Sequence, residues 1–244
     1  MIETKIYHLL EGAEHARGTA VIIDVFRAFS VECYLYELGA KLVRPVGSLE
    51  EARDLYAKIP GAVLIGERKG IRCEGFDFGN SPSQLRREAI EGRVILHTTS
   101  AGTQGIVNAK GADEILTGSI VNARAIAEYL LRKDAAAPKE KHEVSLVAMG
   151  LSAKSCTDED ELCAEYIHTL LEKKKMPDLA ARLSALAQTS GKRFFDSAMQ
   201  EHFPKEDFDL CIASDTFPFV LRVGKDELGF YSEKIDVPML SENA

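Results

Sequence analysis

Strand-like apolar runs alternate with helix-like runs along almost the whole chain, and this alternation constrains the fold more than any other feature. Thr19-Ala20-Val21-Ile22-Ile23, Leu42-Val43-Arg44-Pro45-Val46, Ala62-Val63-Leu64-Ile65, residues 93–97, Glu114-Ile115-Leu116-Thr117 and Val144-Ser145-Leu146-Val147-Ala148-Met149 are short and aliphatic, as buried strands are. Helical patterns fill the gaps at 28–38, from Ser48 to Pro60, at 83–90, at 103–109 and at 123–132. Ser48 followed by Glu51 has the spacing of a capping box, and Asn122 is placed to cap the helix after it. With 45% apolar residues to fill a core, the rhythm predicts an α/β fold: three layers, α/β/α, around a largely parallel or mixed sheet.

Beyond Ser155 the helical signal dominates to about residue 202, with one helix at 158–174 broken at Met176-Pro177. A hairpin-like region then holds 210–213 and 219–223, followed by a last short strand. One domain over 1–244 is expected. The polar run from Lys133 to His142, with Pro138 in it, is the best place for a hinge between two lobes.

The richest connection runs from Gly66 to Pro82: Gly66-Glu67-Arg68-Lys69-Gly70, then Gly75-Phe76-Asp77-Phe78-Gly79-Asn80-Ser81-Pro82. It follows a strand, and open α/β sheets place ligand sites at strand ends. Two more strand ends share its character: Asp24-Val25-Phe26-Arg27, and His97-Thr98-Thr99-Ser100-Ala101-Gly102-Thr103. Carboxylates, arginines and hydroxyl-rich glycine turns together suit an anionic ligand with a metal ion. Asp158-Glu159-Asp160-Glu161 opens a helix, where negative charge is favoured in any case. Asp24, Glu67, Asp77, Glu159 and Asp160 form a pool of oxygen ligands for a hard cation such as Mg²⁺.

Several classes are disfavoured. A net charge of −8 argues against nucleic-acid and anionic-membrane binding. The five cysteines include no C-x-x-C pair, and the six histidines no H-E-x-x-H, so no soft-metal centre is indicated. The loop after residue 97 lacks the phosphate-binding glycine-lysine pattern of nucleotide triphosphatases. Asp24 lacks the D-x-D pattern of aspartyl-phosphate enzymes. Reduced thiols, the absence of a signal-peptide pattern and the absence of an apolar run near the ~18 residues of a membrane span favour the cytoplasm.

The ordered set Asp24-Val25-Phe26-Arg27-Ala28, Gly66-Glu67-Arg68, Gly75-Phe76-Asp77-Phe78-Gly79-Asn80-Ser81-Pro82, Thr98-Thr99, Gly102-Thr103 and Glu159-Asp160 resembles the 2-phosphosulfolactate phosphatase family across residues 19–223. The resemblance implies a Mg²⁺-dependent acid phosphatase that converts 2-phosphosulfolactate to sulfolactate and phosphate, a step toward coenzyme M in methanogens, and it suggests a homodimer. The turn here has Ser100-Ala101 where an asparagine is usual, and Ser155-Cys156-Thr157-Asp158 is less apolar than is typical.

On that reading Asp24, Glu67 and Asp77 hold the metal. Arg27 and Arg68 neutralise phosphate or sulfonate, with Asn80, Ser81, Thr99, Ser100, Gly102 and Thr103 completing the substrate site. Backbone N–H groups at 101–103 cradle an oxyanion. Glu159 or Asp160 serves as general base or orienter, with Asp160 expected to face the site and Glu159 to support it. The rival readings are a phosphatase of another small phosphorylated hydroxy acid and a non-catalytic anion-binding protein on the same fold.

Overall fold

A computed structural model describes residues 2–138 and 141–238. Its strands are β1 (Ile2–His8), β2 (Gly18–Ile23), β3 (Leu42–Pro45), β4 (Val63–Arg68), β5 (Ile71–Arg72), β6 (Val94–Thr98), β7 (Ala112–Gly118), β8 (His142–Ala148), β9 (Phe219–Asp226) and β10 (Gly229–Asp236). The helices are α1 (Leu9–His15), α2 (Ala28–Glu37), α3 (Leu49–Lys58), α4 (Arg87–Ile90), α5 (Gly102–Asn108), α6 (Ala123–Ala136), α7 (Asp158–Leu171), α8 (Leu179–Ala185) and α9 (Lys205–Ile212).

The strands form one 10-stranded sheet in the order β1-β8-β2-β7-β9-β10-β3-β6-β4-β5. Two parallel sets, β1-β8-β2-β7 and β3-β6-β4, are joined edge to edge by the antiparallel hairpin β9–β10. The sheet is therefore mixed, and both faces are covered. In β2, Val21 and Ile23 pack with α6 and α7, while Ala20 and Ile22 pack with α1 and α5. In the second set Ile65 and Ile95 meet α2, and Leu64 and Leu96 meet α3. This is the period-2 side-chain alternation of a strand with helices on both sides. Each such aliphatic side chain contributes about 1.5–3 kcal/mol on burial.

Local expectations hold where a side chain does what its spacing suggests. Ser48 Oγ accepts from Glu51 N–H at 3.1 Å. Glu51 reaches back to Gly47 N–H rather than to Ser48, so the box is offset by one residue. Asn122 is spent elsewhere: it accepts from Ser119 N–H and closes the turn before α6.

Three expectations need correction. Residues 83–90 are not one helix but a turn at Pro82–Gln84 and the single turn of α4. Arg86 donates to the carbonyls of Ser83 and Leu85, and Ser83 N–H donates to Asp207, which pulls the segment out of helical register. Residues 210–213 end α9 instead of forming a strand; Phe208 and Cys211, three apart, are its buried face. A short apolar run cannot by itself separate a buried helix end from a strand. The hairpin is β9–β10, whose strands lie in register from Phe219–Asp236 to Asp226–Gly229.

The expected hinge at 133–142 covers the end of α6 and the first residue of β8, with residues 139 and 140 outside the described set. No helix among the described residues is long and apolar enough to cross a membrane.

Candidate active site

Connections following β2, β4, β6 and β8 converge with the start of α7 on a cavity of about 300 Å³. Asp24 leaves the crest of the sheet where β2 runs between β7 and β8. Its N–H still donates to Gly118, and Met149 N–H to Ile23. Asp24 Oδ2 accepts from Gly102 N–H at 2.9 Å and Oδ1 from Ala28 N–H at 3.3 Å. Gly102 is required by close approach: a Cβ there would meet the Phe29 ring at 2.8 Å and Asp24 Oδ2 at 3.1 Å.

Glu67 belongs to β4, which continues past the expected loop and turns back into β5. Lys69 and Gly70 form the two-residue turn, with φ of 57° and 81°, the double left-handed geometry of a tight hairpin. Glu67 Oε1 accepts from Ser100 N–H and Oγ at 2.9 and 2.8 Å; Oε2 accepts from Gly70 N–H at 2.6 Å. One carboxylate thus fixes the β4–β5 turn against the loop after β6.

Glu159 and Asp160 occupy the first turn of α7, and both line the cavity, buried. Both Asp160 oxygens are hydrogen-bonded to backbone: they accept from Val25 N–H and Gly150 N–H, each at 2.8 Å. It ties the ends of β2 and β8 to α7. Among the described residues Glu159 Oε2 has no hydrogen-bond partner. Asp160 faces the cavity as expected, with both oxygens hydrogen-bonded to backbone, and Glu159 faces it too, with one oxygen unbonded among the described residues.

Burial dominates the electrostatics. It pushes Asp24 up to about 7, aided by the Glu67 and Glu159 carboxylates and opposed by the N–H groups of Ala28 and Gly102. Burial raises Asp160 well above the usual range, with Glu159 and Asp24 adding to it. It raises Glu159 too, opposed first by the Ser190 hydroxyl, then by its own backbone N–H, the Arg193 charge and the Thr157 hydroxyl. Carboxylates crowded out of water favour protons or a cation.

The remaining predicted residues divide clearly. Arg27, Asn80, Thr99 and Ser100 line the cavity. Arg27 is committed to Asp207 and to the carbonyls of His202 and Gly70. Asn80 Oδ1 pairs with His97 Nε2 at 3.0 Å, and burial lowers that imidazole to about 4, so His97 is a neutral packed residue.

The others do not face the cavity. Asp77 is exposed and accepts from Leu64 N–H at 2.8 Å, fastening its loop to β4. Arg68, opposite in the strand alternation to Glu67, bonds Glu67 O and Thr98 Oγ1. Ser81 donates to Asp207, and Thr103 bonds Thr99. The N–H groups of Gly102 and Thr103 are taken by Asp24 and Thr99, so they do not form the expected oxyanion cradle.

Sequence reasoning missed Arg193, Lys69 and Asp207. Arg193 lies in a short turn at Lys192–Phe195, half-buried with its guanidinium beside the Phe194 and Phe203 rings. Among the described residues its Nε has no hydrogen-bond partner, and its hydrogen bond to Phe26 O is long at 3.5 Å. No periodicity marks such a turn. Lys69 stands exposed at the cavity with no ion pair among the described residues.

Comparison with known proteins places the chain among named relatives. A relative from Clostridium acetobutylicum is 32% identical over 224 residues, covering 86% of this chain and 91% of its own length. One from Clostridium perfringens is 35% identical over 191 residues, 77% and 72% of the two chains. One from Bacillus subtilis is 29% identical over 222 residues, 89% and 93%. Each bears the name "Probable 2-phosphosulfolactate phosphatase". The family model described as 2-phosphosulpholactate phosphatase matches residues 5–226. The chain belongs to that family of phosphoric monoester hydrolases.

Proposed function

We propose that the chain is a Mg²⁺-dependent phosphatase that hydrolyses 2-phosphosulfolactate to 3-sulfolactate and phosphate. The observation that carries this reading is a pair of buried, unpartnered atoms in one cavity, Glu159 Oε2 and Arg193 Nε. An orphaned buried carboxylate oxygen calls for a cation or a proton, and an orphaned guanidinium nitrogen for an oxyanion.

The donors around the cavity fit a hard ion. They are carboxylates, hydroxyls and the Asn80 amide, with neither thiol nor imidazole among the lining side chains. Asp24 and Glu67 would hold Mg²⁺, which takes one or two carboxylates and completes its shell with water and phosphate oxygens. Bound there, the ion would supply charge neutralisation at the phosphoryl oxygens.

The chain's own groups do the rest. Arg193 receives the phosphoryl group, whose oxygens match the guanidinium fork. Lys69, at the exposed side, meets the carboxylate or sulfonate. Glu159 Oε2 takes a proton from the attacking water as its oxygen bonds to phosphorus; the bond from phosphorus to the ester oxygen breaks, and the leaving alkoxide takes the proton back from Glu159. Asp160 keeps the backbone of Val25 and Gly150 in place. The proposal extends to a cytoplasmic homodimer, in keeping with the family resemblance and with cysteines that are all unpaired; sedimentation reads the assembly.

Phosphate release from 2-phosphosulfolactate tests the reading. Release that is lost in EDTA and restored by Mg²⁺ is the expected result. Faster turnover of a carboxylate-only phosphoester would move the assignment to another phosphorylated hydroxy acid. Tight binding without turnover would make the protein an anion-binding relative.

A further inference from the structure

Outside the cavity, three chain segments bring a nitrogen, a sulfur and an oxygen ligand together. His8 ends β1, Cys156 lies in the loop between β8 and α7, and Glu161 sits in the first turn of α7. One ligand atom from each lies within 4.8 Å of the other two. His8 Nδ1 is 2.8 Å from Glu161 Oε1. No other trio of His, Cys, Asp or Glu ligand atoms among the described residues is so close.

We propose that His8, Cys156 and Glu161 form an open, three-ligand site for a thiophilic divalent cation of the Zn²⁺ class. The donor set is the first reason. Zn²⁺ takes imidazole, thiolate and carboxylate, whereas Mg²⁺ takes oxygen alone. Geometry is the second. Tetrahedral bonds of about 2.0–2.3 Å set ligand atoms roughly 3.4–3.8 Å apart, so closing the trio needs only small side-chain rotations. Access is the third. His8 and Cys156 are exposed and Glu161 is half-buried, which leaves the fourth position to water. The other four cysteines are buried. Binding exchanges the thiol proton for the metal, with no change in oxidation state.

The site would sit on the wall of the cavity without belonging to it. The Cys156 loop contributes Leu151, Ser152 and Thr157 to that cavity, and the Glu161 turn contributes Glu159 and Asp160. An ion held by all three ligands would tie this loop to the helix and to β1.

Co²⁺ serves as the optical probe, titrated into full-length protein in excess Mg²⁺ so that hard oxygen sites are occupied. The expected result is a near-ultraviolet thiolate-to-Co²⁺ charge-transfer band with the visible bands of a tetrahedral ion, all displaced by Zn²⁺. Cys156→Ser should abolish the charge-transfer band. His8→Gln and Glu161→Gln should each weaken binding by about tenfold or more, the least that disturbing a metal's ligand environment costs. Circular dichroism confirms that each variant is folded. Absence of the charge-transfer band in the unaltered protein, or its survival in Cys156→Ser, overturns the proposal. The readout does not depend on phosphatase activity.

Discussion

Arg27 and Asp207 form an ion pair of 2.6 Å with side chains 3% and 0% exposed. Asp207 also accepts from Ser81 Oγ and Ser83 N–H, at 2.9 and 3.0 Å. The pair therefore locks the loop after β2, the Asn80–Ser83 segment and α9 into one wall of the cavity. Its position in a family motif suggested a substrate-binding arginine, but its charge is already answered inside the protein.

Removing one partner of a buried pair leaves the other uncompensated, at a cost of roughly 3–5 kcal/mol. Asp207→Ala should lower stability by about that amount, measured by urea unfolding. Arg68→Ala, which removes a half-buried charge bonded to Thr98, should cost far less. A shift under about 1 kcal/mol for Asp207→Ala would mean that solvent reaches Arg27.

The adjacent acids of α7 should separate activity from stability. Glu159→Gln removes the unpartnered oxygen's charge and leaves the backbone clamp intact. Phosphatase kcat should fall by about 10²-fold or more, as loss of a general base does, with little change in melting temperature. Asp160→Asn turns one acceptor toward an N–H as a donor, so a buried amide loses its partner at about 1–3 kcal/mol. Equal kinetic effects with equal stability losses would dissolve the distinction.

The parts of this arrangement that the sequence displays are those made by repetition. β2, β6 and β8 are sandwiched between helices, so both faces are apolar and the runs stand out. Asp24, Glu67 and Glu159 were legible because they follow such runs or open a strongly acidic helix. Asp77 and Arg68 look equivalent to them in one dimension. The hairpin of β4 with β5 then sends neighbouring side chains to opposite sides, and Arg68 leaves the cavity that Glu67 enters. Arg193 and Asp207 come from a turn and a short helix far along the chain, and only tertiary packing brings them in.

In the proposed reaction Arg193 receives the transferred group. Arg193→Lys keeps a positive charge but loses the planar fork and its stacking against Phe203, 5.1 Å away. Loss of kcat/KM by tenfold or more is expected, about 1.4 kcal/mol of transition-state stabilisation. Lys69→Met should instead raise KM with kcat nearly kept, because the proposal gives Lys69 only the non-reacting carboxylate or sulfonate end of the substrate. Unchanged kinetics in Arg193→Lys would remove Arg193 from the site.

Glu32, remote from the cavity, gives the protein a pH-dependent term of its own. It is buried, and its two oxygens accept from Thr117 Oγ1 and Ser232 Oγ, each at 2.9 Å. No cation pairs with it among the described residues. Burial pushes its carboxyl from 4.5 up to about 7, outweighing the two hydroxyl hydrogen bonds. Between those values the folded chain keeps the proton while the unfolded chain releases it. Stability from this residue is thus fully present below pH 4.5 and is lost as the pH rises through about 7. The full loss is about 3 kcal/mol. Glu32→Gln cannot ionise, and its amide can still bond both hydroxyls once one of them turns to accept. The variant should match the unaltered protein near pH 5 and exceed it in stability near pH 8, read as urea midpoints across that range. A difference that stays constant from pH 5 to pH 8 would show that Glu32 ionises in the folded protein as readily as in water.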